Sequence, residues 1–172
     1  PSGVKGMKDG MSALLLALVR KNLIIAREIL AAGATVDMVM GKERMSVLMY
    51  AAGNNMLNAV RLLFEFNANT NVVNKDGATA LYFAAQEGHA VMARFLVEHG
   101  ADLNKQTVFG YTALHVAAEK GHIKCVHILV DAGAEIDIKN KEGRTPAKCA
   151  LLFDHSPTLE LLLRYGADAH LA

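Results

Sequence analysis

Gly100-Ala101-Asp102-Leu103-Asn104 decides the fold, because versions of it recur. They stand at Gly33-Ala34-Thr35-Val36-Asp37, Asn67-Ala68-Asn69-Thr70-Asn71, Gly133-Ala134-Glu135-Ile136-Asp137 and Gly166-Ala167-Asp168-Ala169-His170, with first residues stepping by 34, 33, 33 and 33 positions. A second ladder, Ser12, Ser46, Thr79, Thr112 and Thr145, steps by the same 34, 33, 33 and 33. Two markers on one period describe a single supersecondary unit repeated five times along a solenoid.

The fourth unit shows what the period encodes. Thr112 is placed to cap a helix with its side-chain oxygen, and that helix runs through Ala113-Leu114-His115-Val116-Ala117-Ala118 to a stop at Gly121. A second helix from about Ile123 carries Val126, Leu129 and Val130 at core-facing spacing and ends at Gly133. The chain then turns out to Asn140-Lys141-Glu142-Gly143, which suits a type I turn. Neither helix buries its apolar face alone, so each unit is folded by its neighbours. The small pairs Ala51-Ala52, Ala84-Ala85 and Ala117-Ala118 let adjacent first helices approach closely.

Gly110-Tyr111-Thr112-Ala113-Leu114-His115-Val116-Ala117-Ala118-Glu119-Lys120-Gly121-His122, followed by the Gly133 stretch, closely resembles the ankyrin-repeat signature. Asp76-Gly77-Ala78-Thr79-Ala80-Leu81 and Gly143-Arg144-Thr145-Pro146 match it too. The resemblance runs from about Met7 to the end of the chain. It implies an all-α solenoid, stacked helix-turn-helix units joined by β-hairpin-like loops, in one domain over residues 1–172 with repeats at about 7–39, 41–73, 74–106, 107–139 and 140–172. Some positions depart from the pattern. Arg44 replaces the glycine before the second capping residue, and the mid-repeat glycine becomes Lys21, Asn55 and Asp154. Asn55 tolerates a left-handed turn, whereas Lys21 and Asp154 are expected to force a longer one. Pro157 behind Ser156 reads as a first-turn proline after a capping serine, giving the last unit a different restart. One extra residue between Gly33 and Ser46 lengthens the first hairpin.

Composition narrows the function. The net charge is +1, from 18 basic and 17 acidic residues mixed along the chain. This argues against a nucleic-acid partner, whose footprint is a basic patch. The apolar runs are too short and too often charged for membrane insertion. Only two cysteines occur, Cys125 and Cys149, both in helical segments. A reducing, intracellular location, cytoplasmic or nuclear, is therefore the expectation. The chain opens on Pro1 and reads as an excerpt. His122, Cys125 and His127 lie close together, but zinc needs more ligands at defined spacing, and no metal or other cofactor is expected. In the resemblance, His122 occupies a signature slot and His115 braces the capping threonine. With no phosphate loop, dinucleotide fingerprint or nucleophile arrangement, the chain reads as non-enzymatic.

A repeat protein supplies its own control, since residues that recur serve the fold and residues that vary are free for a partner. Hairpin tips carry Lys8-Asp9, Lys42-Glu43, Lys75-Asp76 and Lys141-Glu142, but the fourth carries Val108-Phe109 with Tyr111 just beyond. Aromatic side chains are the usual interface anchors, so Val108, Phe109 and Tyr111 are expected to be accessible and to bind a partner. Of eight methionines, Met11, Met38, Met40 and Met45 fall in or beside the first hairpins, and Met45 is a further candidate contact. Gly53 is expected to leave a dent beside Tyr82 on the concave side of the first helices. Both ends are unusually apolar, with Leu15, Ile24 and Ile25 in the first unit and Leu151-Leu152-Phe153 in the last. Further repeats, domains or a flanking segment are expected to cover them; for the first unit the expected cover is residues 1–9, another copy of the chain or a missing repeat. The function expected is a protein–protein interaction scaffold, binding another protein or peptide segment through hairpin tips and concave groove. The alternative is a regulatory or substrate-positioning module of a larger multidomain enzyme. The resemblance also marks Asn104, in Leu96…Asp102-Leu103-Asn104, for hydroxylation by a 2-oxoglutarate-dependent asparaginyl hydroxylase.

Overall fold

A computed structural model describes residues 12–170. The first helices of the five units are α1 (Ala13–Val19), α3 (Val47–Gly53), α5 (Ala80–Gln86), α7 (Ala113–Glu119) and α9 (Pro146–Leu152). The second helices are α2 (Leu23–Ala31), α4 (Leu57–Glu65), α6 (Ala90–Glu98), α8 (Ile123–Asp131) and α10 (Ser156–Arg164). Each first helix has 7 residues and each second helix 9. The first helices stack in file, α3 on α5 on α7 on α9, with the second helices packed behind them. Leu63, Leu96, Leu129 and Leu162, one per second helix from α4 onward, are wholly buried, and the Ala51-Ala52, Ala84-Ala85 and Ala117-Ala118 pairs close the space between first helices.

The capping ladder is formed as the spacing requires. Ser12, Ser46, Thr79, Thr112 and Thr145 each accept the backbone N–H three residues on, at 3.1–3.3 Å. Between the two helices of each unit one residue turns left-handed, with φ of 57° at Lys21, 54° at Asn55, 70° at Gly88, 68° at Gly121 and 58° at Asp154. Lys21 and Asp154 therefore do not lengthen the turn, contrary to the sequence expectation. The stacked helices over-determine the geometry, and these side chains bear the steric cost of the left-handed region. The last unit also restarts like the others. α10 begins at Ser156, with His155 rather than Ser156 at the cap position.

Successive units are joined by three further ladders. The side-chain oxygens of Asp37, Asn71, Asn104 and Asp137 accept the backbone N–H groups of Asn69, Asp102, Glu135 and Asp168 at 2.8–3.1 Å. At the tips, Lys75 N donates to Glu43 O, Val108 N to Asp76 O and Lys141 N to Phe109 O, at 2.7–3.0 Å. Nε2 of His89 lies 3.1 Å from Gly53 O, and that of His122 lies 3.0 Å from Gln86 O. The extra residue of the first hairpin makes it a short antiparallel pair, β1 (Val39–Met40) with β2 (Met45–Ser46), in the register Val39↔Ser46 and Met40↔Met45. Among the described residues this is the one sheet, and Arg44 takes the left-handed conformation (φ 53°) that glycine supplies at the later tips.

Candidate functional site

The tips of the third, fourth and fifth units lean over the inner helices α5 and α7 and enclose a groove of about 400 Å³. Tyr82, Phe83 and Gln86 of α5 and Glu119 of α7 line one side; Asn74, Asp76, Thr107, Phe109, Tyr111 and Glu142 line the tip side. Asn74 is fixed by its own turn, its Oδ1 accepting from the N–H groups of Asp76 and Ala78 at 2.9 and 2.8 Å. Asn140 holds the fifth tip identically, accepting from Glu142 and Arg144 at 2.9 Å each.

At the fourth tip the turn closes from Gly110 N to Thr107 O, 2.8 Å, and pushes Val108 and Phe109 outward. Phe109 is 65% exposed and Val108 45%. Tyr111 is less open than the sequence suggested. It is half-buried because its ring leans on His115, with centroids 5.5 Å apart. Tyr82 is also half-buried, its ring against Phe83 at 5.8 Å. Thus Tyr82, Phe109 and Tyr111 share one groove, with Val108 on its rim, whereas Met45 stands apart. Met45 is half-buried in β2 and packed on the core, with Sδ 3.8 Å from Asn74 Nδ2. Its neighbours Met40 and Met49 are buried, so the methionines of this region chiefly fill space. A Cβ on Gly53 would meet Phe83 Cβ, next in sequence to Tyr82, at an ordinary contact distance of 3.5 Å.

The groove is acidic and shielded. Burial, then the charges of Glu119, Tyr111 and Asp76, push the Tyr82 hydroxyl up to about 12. Burial likewise raises Tyr111, assisted by Cys149, Glu119 and Glu142 and opposed by a hydrogen bond from Arg144. Sequence reading missed Asp76, Glu119 and Glu142 as a group. They lie on two tips and one helix end, and only the stacking of the third, fourth and fifth units brings them together. The recurrence of Asp76 and Glu142 as acids at tip slots was the available signal for those two, and Glu119 had none.

Other reactive-looking clusters are internally satisfied. Burial pushes both Cys125 and Cys149 up to about 11, leaving neutral thiols rather than nucleophiles. On the outer helices, the Tyr165 hydroxyl donates to Asp131, lowering that carboxyl and raising the phenol, and His127 Nδ1 lies 2.6 Å from the same carboxylate. Phe95 and His99 stack, Phe64 meets both rings edge-on, and Arg61 lies over Phe95 at 5.1 Å. Among the described residues, no group of three or more His, Cys, Asp or Glu side chains is arranged to hold a metal ion, and no helix is long and apolar enough to cross a membrane.

Asn104 is tied down on both side-chain atoms, Oδ1 accepting from Glu135 N at 2.9 Å and Nδ2 donating to Glu135 Oε1 at 3.1 Å. A hydroxylase would reach it only after this turn opens. At the ends of the stack Leu15 is buried, while Ile24 is 78% and Ile25 51% exposed, and Leu151, Leu152 and Phe153 are each about half exposed. The Lys8-Asp9 tip, Met7, Met11 and the residues 1–9 expected to cover the first unit lie outside the described residues.

No curated protein matches the chain significantly. A family model described as ankyrin repeats (3 copies) matches residues 14–107 and again 103–172, nearly the whole chain. With the capping ladder, the paired helices and the outward tips all in the matching register, the chain belongs to the ankyrin-repeat family.

Proposed function

We propose that this array is a protein-recognition module whose partner docks on the third to fifth units, across the Val108-Phe109 tip and into the groove lined by Tyr82 and Tyr111. Ankyrin repeats are generally protein–protein interaction modules. The observation that carries the more specific reading is Phe109, 65% exposed at a slot where the neighbouring tips hold Asp76 and Glu142. A large apolar ring facing water contributes nothing to the fold and is costly for solubility, but in an interface it is the kind of anchor that dominates binding. The apolar rim passes directly into a concave groove, and this geometry suits a side chain or short segment better than a flat surface.

The test is quantitative affinity purification from the source cells with wild type, Phe109→Ala and Lys124→Ala, the last an exposed change on the outer helix α8. Partners lost with the first variant and retained with the second are the expected result. A partner set indifferent to Phe109→Ala would remove the proposal.

A further inference from the structure

We infer that the groove receives an arginine or lysine side chain from an extended peptide, a statement that rests on the protein-recognition reading above. Its charge is one-sided. Asp76, Glu119 and Glu142 line it, and no Lys, Arg or His does. The nearest cations stand at its edge and are already engaged, Lys120 with Glu119 at 3.3 Å, Arg144 with Glu142 at 2.6 Å and with the Tyr111 hydroxyl, and Lys75 with Glu43 at 2.6 Å. That leaves Asp76 as the carboxylate without a counter-ion, with no ion pair within 4.0 Å among the described residues. The Glu119 side chain is only 17% exposed, so a cation reaching it meets a carboxylate largely withdrawn from water, where attraction is less screened. The chain as a whole is nearly neutral at +1, so this negative potential is local to the groove.

The walls suit the rest of such a side chain. Tyr82, Phe83 and Tyr111 offer aromatic surface to a methylene stem and ring faces to a cationic head. The N–H groups of Lys75, Val108 and Lys141 are spent on the tip ladder, which leaves fewer main-chain donors at these tips for a peptide backbone. Side-chain recognition therefore carries most of the reading. The exposed Val108 and Phe109 at the rim provide the apolar contact for a residue flanking the basic one.

The experiment is selection of a random-peptide phage library on the intact chain, followed by anisotropy measurements on the selected peptides at low salt. Selected peptides should share an Arg or Lys at one fixed position. Replacing that residue by Gln, or changing Glu119→Gln or Asp76→Asn in the protein, should each weaken binding about tenfold or more. Urea midpoints establish that Glu119→Gln is folded, and Asp76→Asn at a tip provides a second variant with little bearing on the core. Peptides that need Phe109 but share no basic residue, or that tolerate both carboxylate changes, overturn the inference and leave the recognition reading intact. Failure to select any peptide sensitive to Phe109→Ala overturns both.

Discussion

His115 spans the boundary between two repeats: its Nδ1 accepts from the Thr112 N–H at 3.2 Å, and its Nε2 donates to the Arg144 carbonyl at 3.0 Å. These partners require the neutral ring with its proton on Nε2. The ring is wholly buried and thus serves as cap, inter-repeat strut and core filler together. His115→Ala should destabilise the protein by about 3 kcal/mol, combining a cavity with two unpaired backbone groups. Urea unfolding gives the value, and a loss below about 1 kcal/mol would contradict this role.

The same contacts set a pH dependence. Burial, partly offset by hydrogen bonds to the Arg144 and Ile138 carbonyls and by the Glu119 charge, lowers the His115 pKa from 6.5. The unfolded chain therefore takes up the proton first. The contribution of His115 is complete above pH 6.5 and is lost as pH falls through the lower folded value. Wild type should lose stability below that pH more steeply than His115→Gln, and parallel pH profiles of the urea midpoint would refute this.

Gly110 and Gly143 occupy equivalent tip positions with φ of 81° and 74°, yet they should respond differently to substitution. A Cβ on Gly110 would lie 2.7 Å from Lys141 N and 2.8 Å from Asn140 Cα, both backbone, whereas one on Gly143 would meet nothing within 4 Å. Gly143→Ala should cost about 1 kcal/mol for the left-handed backbone, and Gly110→Ala about 3 kcal/mol as the fifth tip is pushed off the fourth. Equal losses by thermal or urea unfolding would show that the tips are not tightly stacked.

Lys21 and Asp154 carry a side chain in the left-handed region where Gly88 and Gly121 carry none. Lys21→Gly and Asp154→Gly should each raise stability by about 0.5–1 kcal/mol, with a smaller gain for Asn55→Gly because Asn tolerates this conformation. Unfolding midpoints that move downward in the first two would show that these side chains make contacts outweighing the strain.

Phe109→Ala should leave stability within about 0.5 kcal/mol of wild type, since the ring is mostly in water, while weakening a cognate partner by about 2 kcal/mol. Calorimetry of unfolding and of binding separates the two effects.

The parts of this architecture written in single residues were legible in the sequence. Ser12 to Thr145 and Gly33 to Gly166 give the period, the caps and the helix ends, because each acts within a few positions of itself. What escaped depends on neighbours about one repeat away. The strain at Lys21 and Asp154 is imposed by stacked helices, Met45 is drawn inward by its β pairing, and Tyr111 is half-covered by His115. The carboxylates of the groove belong to the third, fourth and fifth units, so no local window contains them. Val108 and Phe109 were conspicuous for the opposite reason, since they break a pattern that every other tip obeys.

The ladders between units have a polarity. Among the described residues, every backbone N–H that crosses a repeat boundary, from Asn69, Lys75, Asp102, Val108, Glu135, Lys141 and Asp168, belongs to the later repeat and finds its acceptor on the earlier one. The donors that run the other way, Asn71 Nδ2 to Gly100 O, Asn104 Nδ2 to Glu135 Oε1 and Gln106 Nε2 to Lys139 O, are side-chain amides, which can turn to water until the next repeat arrives. Each arriving unit brings its own backbone donors to oxygens already in position, so assembly can follow the direction of synthesis. A half-made array waits for its next repeat without leaving these backbone N–H groups unpaired.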